Sequence, residues 1–480
     1  MLARTRTWHA VLLWGVVALL GLALIYPIVL TVRGGFADDV ATGRGFTLRH
    51  LANIFRDPVL VGALLGSVKI AAATTTFATL IALPLAVLAA RYRYPLKGVW
   101  SAVVLVPLIL PPFVGAIGAR AILGREGALN ALLGTHWDIL GTAKFWGVVA
   151  LQSLSLYPII YLNATAALAN LDPALDEAAE NLGAGPWRRL FRITLPLIRP
   201  GVFAGATIVF IWSFTELGTP LMFDYYAVAP VQIFYRLKEV ENSAEPYALT
   251  IVLLAAALGM YALGKLVFGG RAYAMYSKAS RASTEKDLSR VGGVLACAAF
   301  GFVTFLAVLP HLGVLLTSVS VEGRWYGTVI PSAFTGEHYR QALTAPDSFG
   351  SIVNSIKYAS SAMALDIGLG VLIGYLIVRT TVRGRGLLDA LCMLPLAVQG
   401  LVLAFGYVAM SQRWPMGKGG PLGDMILGAD PNPVPLLVMA YAVRRLPYIV
   451  ASTVAGREQT SGELEEAAVN LGASRFTAGR

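Results

Sequence analysis

Apolar residues in this chain are gathered into long runs separated by short polar segments. A helix needs roughly 20 mostly apolar residues to cross about 30 Å of hydrocarbon. Ten stretches meet that length: Val11–Val32, Val61–Ala90, Trp100–Leu123, Phe145–Leu168, Gly201–Pro220, Ala248–Phe268, Val291–Ser318, Ile352–Val378, Leu387–Met410 and Val434–Val454. None shows a polar face, as expected where lipid and neighbouring helices are equally apolar. The first is too long for a signal peptide and no small-residue cleavage site follows it. Pro107, Pro111 and Pro112 predict a break within the third.

Basic residues predict the orientation. With the N-terminus cytoplasmic, the segments on that side hold 20 Lys and Arg in 102 positions, against 12 in 131 on the other. Composition agrees with a bilayer as solvent: 56% hydrophobic, 14% charged, mean hydropathy +0.67 over 480 residues. A soluble domain carries about 25% charged residues. The net charge of +11 does not point to nucleic acid, because the basic residues fall in short clusters between apolar runs. Cys297 and Cys392 both lie in apolar runs, which excludes a disulfide framework or a metal cluster built on them.

The chain repeats itself at an offset of 288 to 289 residues. Gly66–Ile70 aligns with Asn354–Tyr358, Arg91 with Arg379, and Val106-Pro107-Leu108 with Leu394-Pro395-Leu396. The segment Asp176–Ala184 aligns with Glu465–Ala473, sharing the Glu-Ala-Ala and Asn-Leu-Gly-Ala elements. An even number of spans in the first half makes these parallel repeats. The expected domains are a first half, 1–268, of six spans, a cytoplasmic linker, 269–290, and a second half, 291–480, of four. Symmetry predicts a truncated second half, lacking about 80 residues and two spans.

The polar segment Leu171–Pro196 carries the most information. Asp172 predicts an N-cap with Pro173 at the first helical position. Ala174, Leu175, Ala178, Ala179 and Leu182 make an apolar stripe, and Gly183 predicts a C-cap. Gly185-Pro186 opens a second short helix bearing Trp187, Leu190 and Phe191 among Arg188, Arg189 and Arg192, which Leu195-Pro196 is expected to end. A lipid-facing amphipathic helix accounts for the arginines and Trp187. It does not account for the small-residue stripe, the glycine or the second copy near Glu466.

The spacing of Glu177-Ala178-Ala179, Gly183, Ile193 and Leu195-Pro196 resembles the complete EAA signature of permeases from binding-protein-dependent type I ABC importers. Glu466-Ala467-Ala468 with Gly472 resembles it as far as the chain runs. The resemblance implies an all-α, polytopic bacterial inner-membrane protein made of two parallel permease halves. It implies that each loop forms a coupling helix docked on a cytoplasmic ATPase, so that one chain engages two copies of that subunit. A separate extracytoplasmic binding protein would deliver the solute. ATP would act on the partner, leaving this chain with no cofactor, no metal and no catalytic residue. In that scheme Gly183 and Gly472 make the turn, while Ala178, Ala179, Ala467 and Ala468 keep the contact close. Glu177 and Glu466 make a charged contact or brace the loop, Trp187 and Phe476 are apolar knobs, and Arg188 flanks them.

Ionisable residues inside spans are costly and become candidates for the translocation path. These are Glu216, Asp366, Arg444 and Arg445, whereas Lys69 and Lys357 are explained by snorkelling. Gly259–Leu266 mimics a phosphate-binding loop but has Leu266 in place of Ser or Thr and lies within a span. Gly368, Gly370 and Gly374 predict helix packing. Phe214–Pro220, with its Gly-Thr-Pro, and Leu394–Tyr407, with Gln399 where proline is common, resemble fused permeases for ferric iron. Thiamine and aminophosphonate importers share that layout. An ion-gradient-driven secondary transporter and a non-transporting remnant remain the readings from other classes.

Overall fold

A computed structural model describes residues 2–39, 44–237, 243–268, 285–398, 400–417, 419–428, 431–459 and 471. Its long helices follow the apolar runs. In chain order they are α1 (Thr7–Phe36), α2 (Pro58–Arg91), the bent pair α3 (Lys97–Ile109) and α4 (Pro112–Leu123), and α5 (Lys144–Ala169). After the short α6 (Pro173–Asn181) come α7 (Pro186–Phe214), α8 (Glu245–Phe268), α9 (Arg290–Val319) and α10 (Pro346–Arg379). A second bent pair, α11 (Arg385–Ala397) and α12 (Gly400–Ser411), precedes α13 (Val434–Gln459). Eight of these helices are long and apolar enough to span a membrane, or ten spans if each bent pair counts once. At 1.5 Å per residue the 34-residue helices α2 and α10 are about 50 Å long, well beyond the hydrocarbon thickness. Proline occupies the first turn of each, and the Asp57 carboxylate caps α2 by accepting the Val59 N–H at 2.8 Å.

The predicted break at Pro111-Pro112 is a bend of 92° between α3 and α4. The expectation that Leu195-Pro196 ends the second loop helix fails. That helix runs without interruption from Pro186 to Phe214, through a π-turn at Leu190–Thr194. Proline lacks an N–H and its ring clashes with the carbonyl four residues back. The π-turn just ahead of Pro196 shifts the pattern so that Leu195 N–H bonds Leu190 O. An identical device precedes Pro27 in α1, where Gly21–Ile25 is a π-turn and Tyr26 N–H bonds Gly21 O. The predicted span to Pro220 is likewise shorter, because Thr215–Leu217 break it before a short helix at Gly218–Met222.

The contacts divide the chain into two compact units, 1–52 with 236–254 and 344–480, and 53–235 with 255–343. These units cut across the sequence repeat. In the second, Ala78, Ala82 and Ala86, spaced one turn apart on α2, are fully buried with Tyr157, Ile160 and Ala164 of α5 and Phe300 of α9. Small side chains permit that approach. On α4, Gly118 lies against the backbone carbonyl of Pro310 in α9, where no side chain fits. In the first unit, Gly406 of α12 packs on the backbone of Pro27 in α1. Gly370 and Gly374 of α10 face Ile449 and Thr453 of α13, as their spacing predicts, whereas Gly368 faces open space.

Candidate functional site

The loop between α5 and α7 folds as its caps dictate. Asp172 accepts the Ala174 N–H at 2.9 Å and starts α6. At the other end Gly183 adopts φ +77°, Gly183 N–H bonds Glu180 O at 2.9 Å, and Ala184 N–H bonds Ala179 O at 3.0 Å. That pair of bonds is a Schellman cap, which needs a left-handed residue. A Cβ on Gly183 would meet nothing within 4 Å, so conformation alone selects glycine here.

The apolar stripe of α6 does not turn inward. Ala174, Leu175 and Ala178 are exposed, Leu182 is 88% exposed, and only Ala179 is buried. Glu177 lies on the same outer surface. Trp187, 73% exposed, stacks on Phe191 with ring centroids 6.0 Å apart. Arg188 is exposed, and Arg189 is the arginine that goes in. Ala179 therefore serves the chain's own packing and offers nothing to a partner. The second copy, Glu466, Ala467, Ala468, Gly472 and Phe476, lies outside the described residues.

Behind the exposed surface runs a chain of alternating charges that sequence reasoning missed. Arg91, ending α2, lies 3.6 Å from Asp176 of α6 and donates to the Thr194 hydroxyl at 2.6 Å. Arg189 lies 3.9 Å from Asp176 and also bonds Glu180. Glu180 in turn accepts from Lys286 at 2.8 Å. Lys286 belongs to a two-residue strand, β2 (Lys286–Asp287), paired in parallel with β1 (Tyr92–Arg93). Lys97 bonds Glu285 at 2.9 Å and ties the same segment down. Lys286 first, and then Arg189, hold the Glu180 carboxyl below its usual range; Lys97 and Arg93 do the same for Glu285. The four-residue spacing of Asp176 and Glu180 was the available signal, since it puts both on one helix face. A cavity of 460 Å³ is bordered by Arg91, Leu171, Asp176, Trp187, Arg189 and Lys286.

Of the four path candidates, Asp366 and Arg445 lie within electrostatic reach of each other, while Glu216 and Arg444 each serve backbone groups. Glu216 lies past the end of α7 instead of within a span, and accepts the N–H groups of Gly218 (3.1 Å) and Thr219 (3.3 Å), capping the short helix. Arg444 donates to Pro395 O at 3.2 Å and Val398 O at 2.8 Å, the carbonyls left open where α11 ends. Arg445 is exposed. Asp366 is 4% exposed, and its Oδ1 lacks a hydrogen-bond partner among the described residues. It borders a 350 Å³ cavity otherwise lined by apolar side chains such as Leu20, Leu369 and Val443. Hydropathy could not flag the uncharged cluster around Gln152, fully buried in α5, which accepts from Thr74 at 3.4 Å and Ser213 at 2.5 Å. The phosphate-loop look-alike Gly259–Leu266 is helical within α8.

Residues 82–274 match the family model for the binding-protein-dependent transport system inner membrane component. A probable molybdenum ABC transporter permease protein of Haloferax volcanii is 31% identical over 263 residues, covering 54% of this chain and 91% of that protein. The chain belongs to this permease family. Two further permeases align with nearly its whole length. A ferric transport system permease protein of Actinobacillus pleuropneumoniae is 24% identical over 96% of this chain and 65% of its own length. A putative ferric transport system permease protein of Haemophilus influenzae is 23% identical over 96% of this chain and 71% of its own. The family match takes in the whole α6 element, with the cap, the exposed stripe and the charge chain up to Arg189. The relatives are transport components, not enzymes.

Proposed function

We propose that this chain is the membrane-spanning permease of an ATP-driven importer, and that the outer face of α6 with Trp187 is its dock for a separate cytoplasmic ATPase. The observation that carries this is the inversion of α6. An amphipathic helix holding its own bundle would bury Leu175, Ala178 and Leu182, yet these are exposed with Glu177 while Asp176 and Glu180 pair with Arg189, which is buried. The basic-residue distribution puts this end of the bundle, and the N-terminus, in the cytoplasm. A second dock in the other half, and hence two ATPase copies, follows from the repeated motif. A binding protein on the opposite side would deliver the solute.

Ferric iron is the reading for the solute, because the ferric permeases match 96% of the chain, both halves included. Molybdenum oxyanion is the second reading, favoured by the higher identity of the Haloferax volcanii permease. Uptake of radiolabelled iron and of molybdate by proteoliposomes carrying the permease, ATPase and binding protein separates the two. ATP-independent uptake of either would overturn the importer reading in favour of a secondary transporter.

The dock itself is tested by Leu182→Ala with Trp187→Ala. Both side chains are exposed, so the double variant should reach the membrane normally while ATPase recovery on purification falls roughly tenfold. Recovery at the wild-type level would sink the assignment. Gly183→Ala should weaken coupling through about 1 kcal/mol of left-handed strain, with Gly185→Ala close to neutral. Equal effects of the two on ATP-dependent uptake would show that the cap is irrelevant.

A further inference from the structure

We infer that Arg91 is a positioning residue that carries motion of the docking element into the membrane bundle; this rests on the importer reading above. The element α6 is joined to its neighbours by a turn at Leu171-Asp172 and by the Gly183 turn. With its apolar stripe facing out, it is held to the bundle by Ala179 and by the charge chain. That chain alternates in sign: Arg91, Asp176, Arg189, Glu180, Lys286. It also grades in exposure. Side chains at the Lys286 end are about half exposed (56% and 51%), whereas Arg91 and Asp176 are 26% and 24% exposed and Arg189 is 11%. Exposed pairs contribute little, and screened ones least. The inner links therefore dominate.

Arg91 is the member that leaves the loop. It is the last residue of α2, the helix whose alanine stripe is buried against α5 and α9. One of its nitrogens lies within reach of both Asp176 on α6 and the Thr194 hydroxyl in the π-turn where α7 begins. A single guanidinium thus meets three elements at one point, by a hydrogen bond to Thr194 and an ion pair at 3.6 Å to Asp176. A push on α6 from outside reaches α2 and the π-turn together through this junction. Lys286, at the exposed end, steadies the outer edge and transmits little.

The test uses the complete permease–ATPase–binding-protein assembly in proteoliposomes, reading ATP hydrolysis and uptake of whichever probe, iron or molybdate, the wild type accumulates. Arg91→Gln should keep ATPase recovery and hydrolysis within about twofold of wild type while uptake per ATP falls roughly tenfold. Thr194→Val, which removes only the buried hydroxyl, should lower uptake per ATP about threefold, and Arg91→Lys should fall between. Lys286→Gln should stay within about twofold. Uptake per ATP at the wild-type level in Arg91→Gln would overturn the inference. So would a parallel loss of ATPase recovery in Arg91→Gln and Thr194→Val, which marks a purely structural role. Hydrogen exchange on the permease alone supplies a readout independent of the importer reading. Arg91→Gln should speed exchange at Asp176–Glu180 and leave α5 unchanged, and unaltered protection of α6 would equally defeat the inference. Absence of ATP-dependent uptake in the wild type, with faster α6 exchange in Arg91→Gln, would count against the importer and leave the junction standing.

Discussion

The two broken spans, α3–α4 and α11–α12, occupy equivalent places in the repeat and solve one problem with different chemistry. A break in mid-membrane leaves backbone carbonyls without intrahelical partners, and each costs free energy in hydrocarbon. In the first copy two hydroxyls and an imidazole meet them: Ser155 donates to Pro107 O at 3.4 Å, Tyr157 to Val104 O at 3.2 Å, and His311 Nε2 faces Pro111 O at 3.4 Å. In the second, among the described residues, Arg444 serves both Pro395 O and Val398 O. Pro107 and Pro395 are repeat partners 288 apart, as are Ser155 and Arg444 at 289. A hydroxyl in one copy has a guanidinium for its counterpart in the other. An intramembrane arginine can thus serve the backbone instead of a substrate, and the repeat partner reveals it.

Both copies share a second feature, a glycine that lets the second limb of the break touch a neighbouring helix, and breaking it should have the largest effect. Gly118→Val and Gly406→Val each drive side-chain atoms into the backbone of a proline-bearing helix. Each should cost about 3 kcal/mol or more, with little monodisperse protein recovered in detergent. Gly368→Val, facing open space, is the control and should unfold at the wild-type temperature. A tolerated Gly406→Val would mean that the two breaks are not built alike.

The donor comparison comes next in size. Arg444→Met strands two carbonyls and should cost about 2–4 kcal/mol, against about 1 kcal/mol for Ser155→Ala, read as the difference in thermal unfolding. A stable Arg444→Met that fails to transport would return Arg444 to the translocation path.

The smallest effect concerns the exposed end of the charge chain. Burial and pairing act oppositely on carboxylates; here pairing with Lys286 and Arg189 wins and lowers Glu180, as Lys97 and Arg93 lower Glu285. A lowered carboxylate contributes fully above its ordinary value of 4.5 and loses that contribution as pH falls through its folded value. Hydrogen-exchange protection of α6 should therefore be flat from about pH 8 to 5 and fall only below about 4.5. A change centred near neutral pH would point to a different group.

Much of the α6 loop was legible because its determinants are local. Asp172-Pro173 and Gly183 specify where α6 starts and stops, and both caps form as expected. Less legible was which way each side chain turns. Arg188 and Arg189 are equivalent as letters, but helical phase exposes one and buries the other beside Asp176 and Glu180. Pro196 was a plausible stop until the π-turn ahead of it absorbed the missing N–H. Glu216 and Arg444 were singled out for their cost in a membrane, and the partners that offset it are backbone groups 2 to 49 residues away.

Sequence alone settled what depends on runs and neighbours: a chain solvated by lipid, the position of its helices, the break at Pro111-Pro112, the duplication and the capped loop. Only tertiary structure decided what depends on distant partners. It joined α9 to α2–α5 and α1 to α10–α13, turned the stripe of α6 outward, and gave Arg91 its two attachments. Apolarity and capping act over a few residues, whereas an ion pair or a glycine contact has no meaning until the chain brings its other half within a few ångströms.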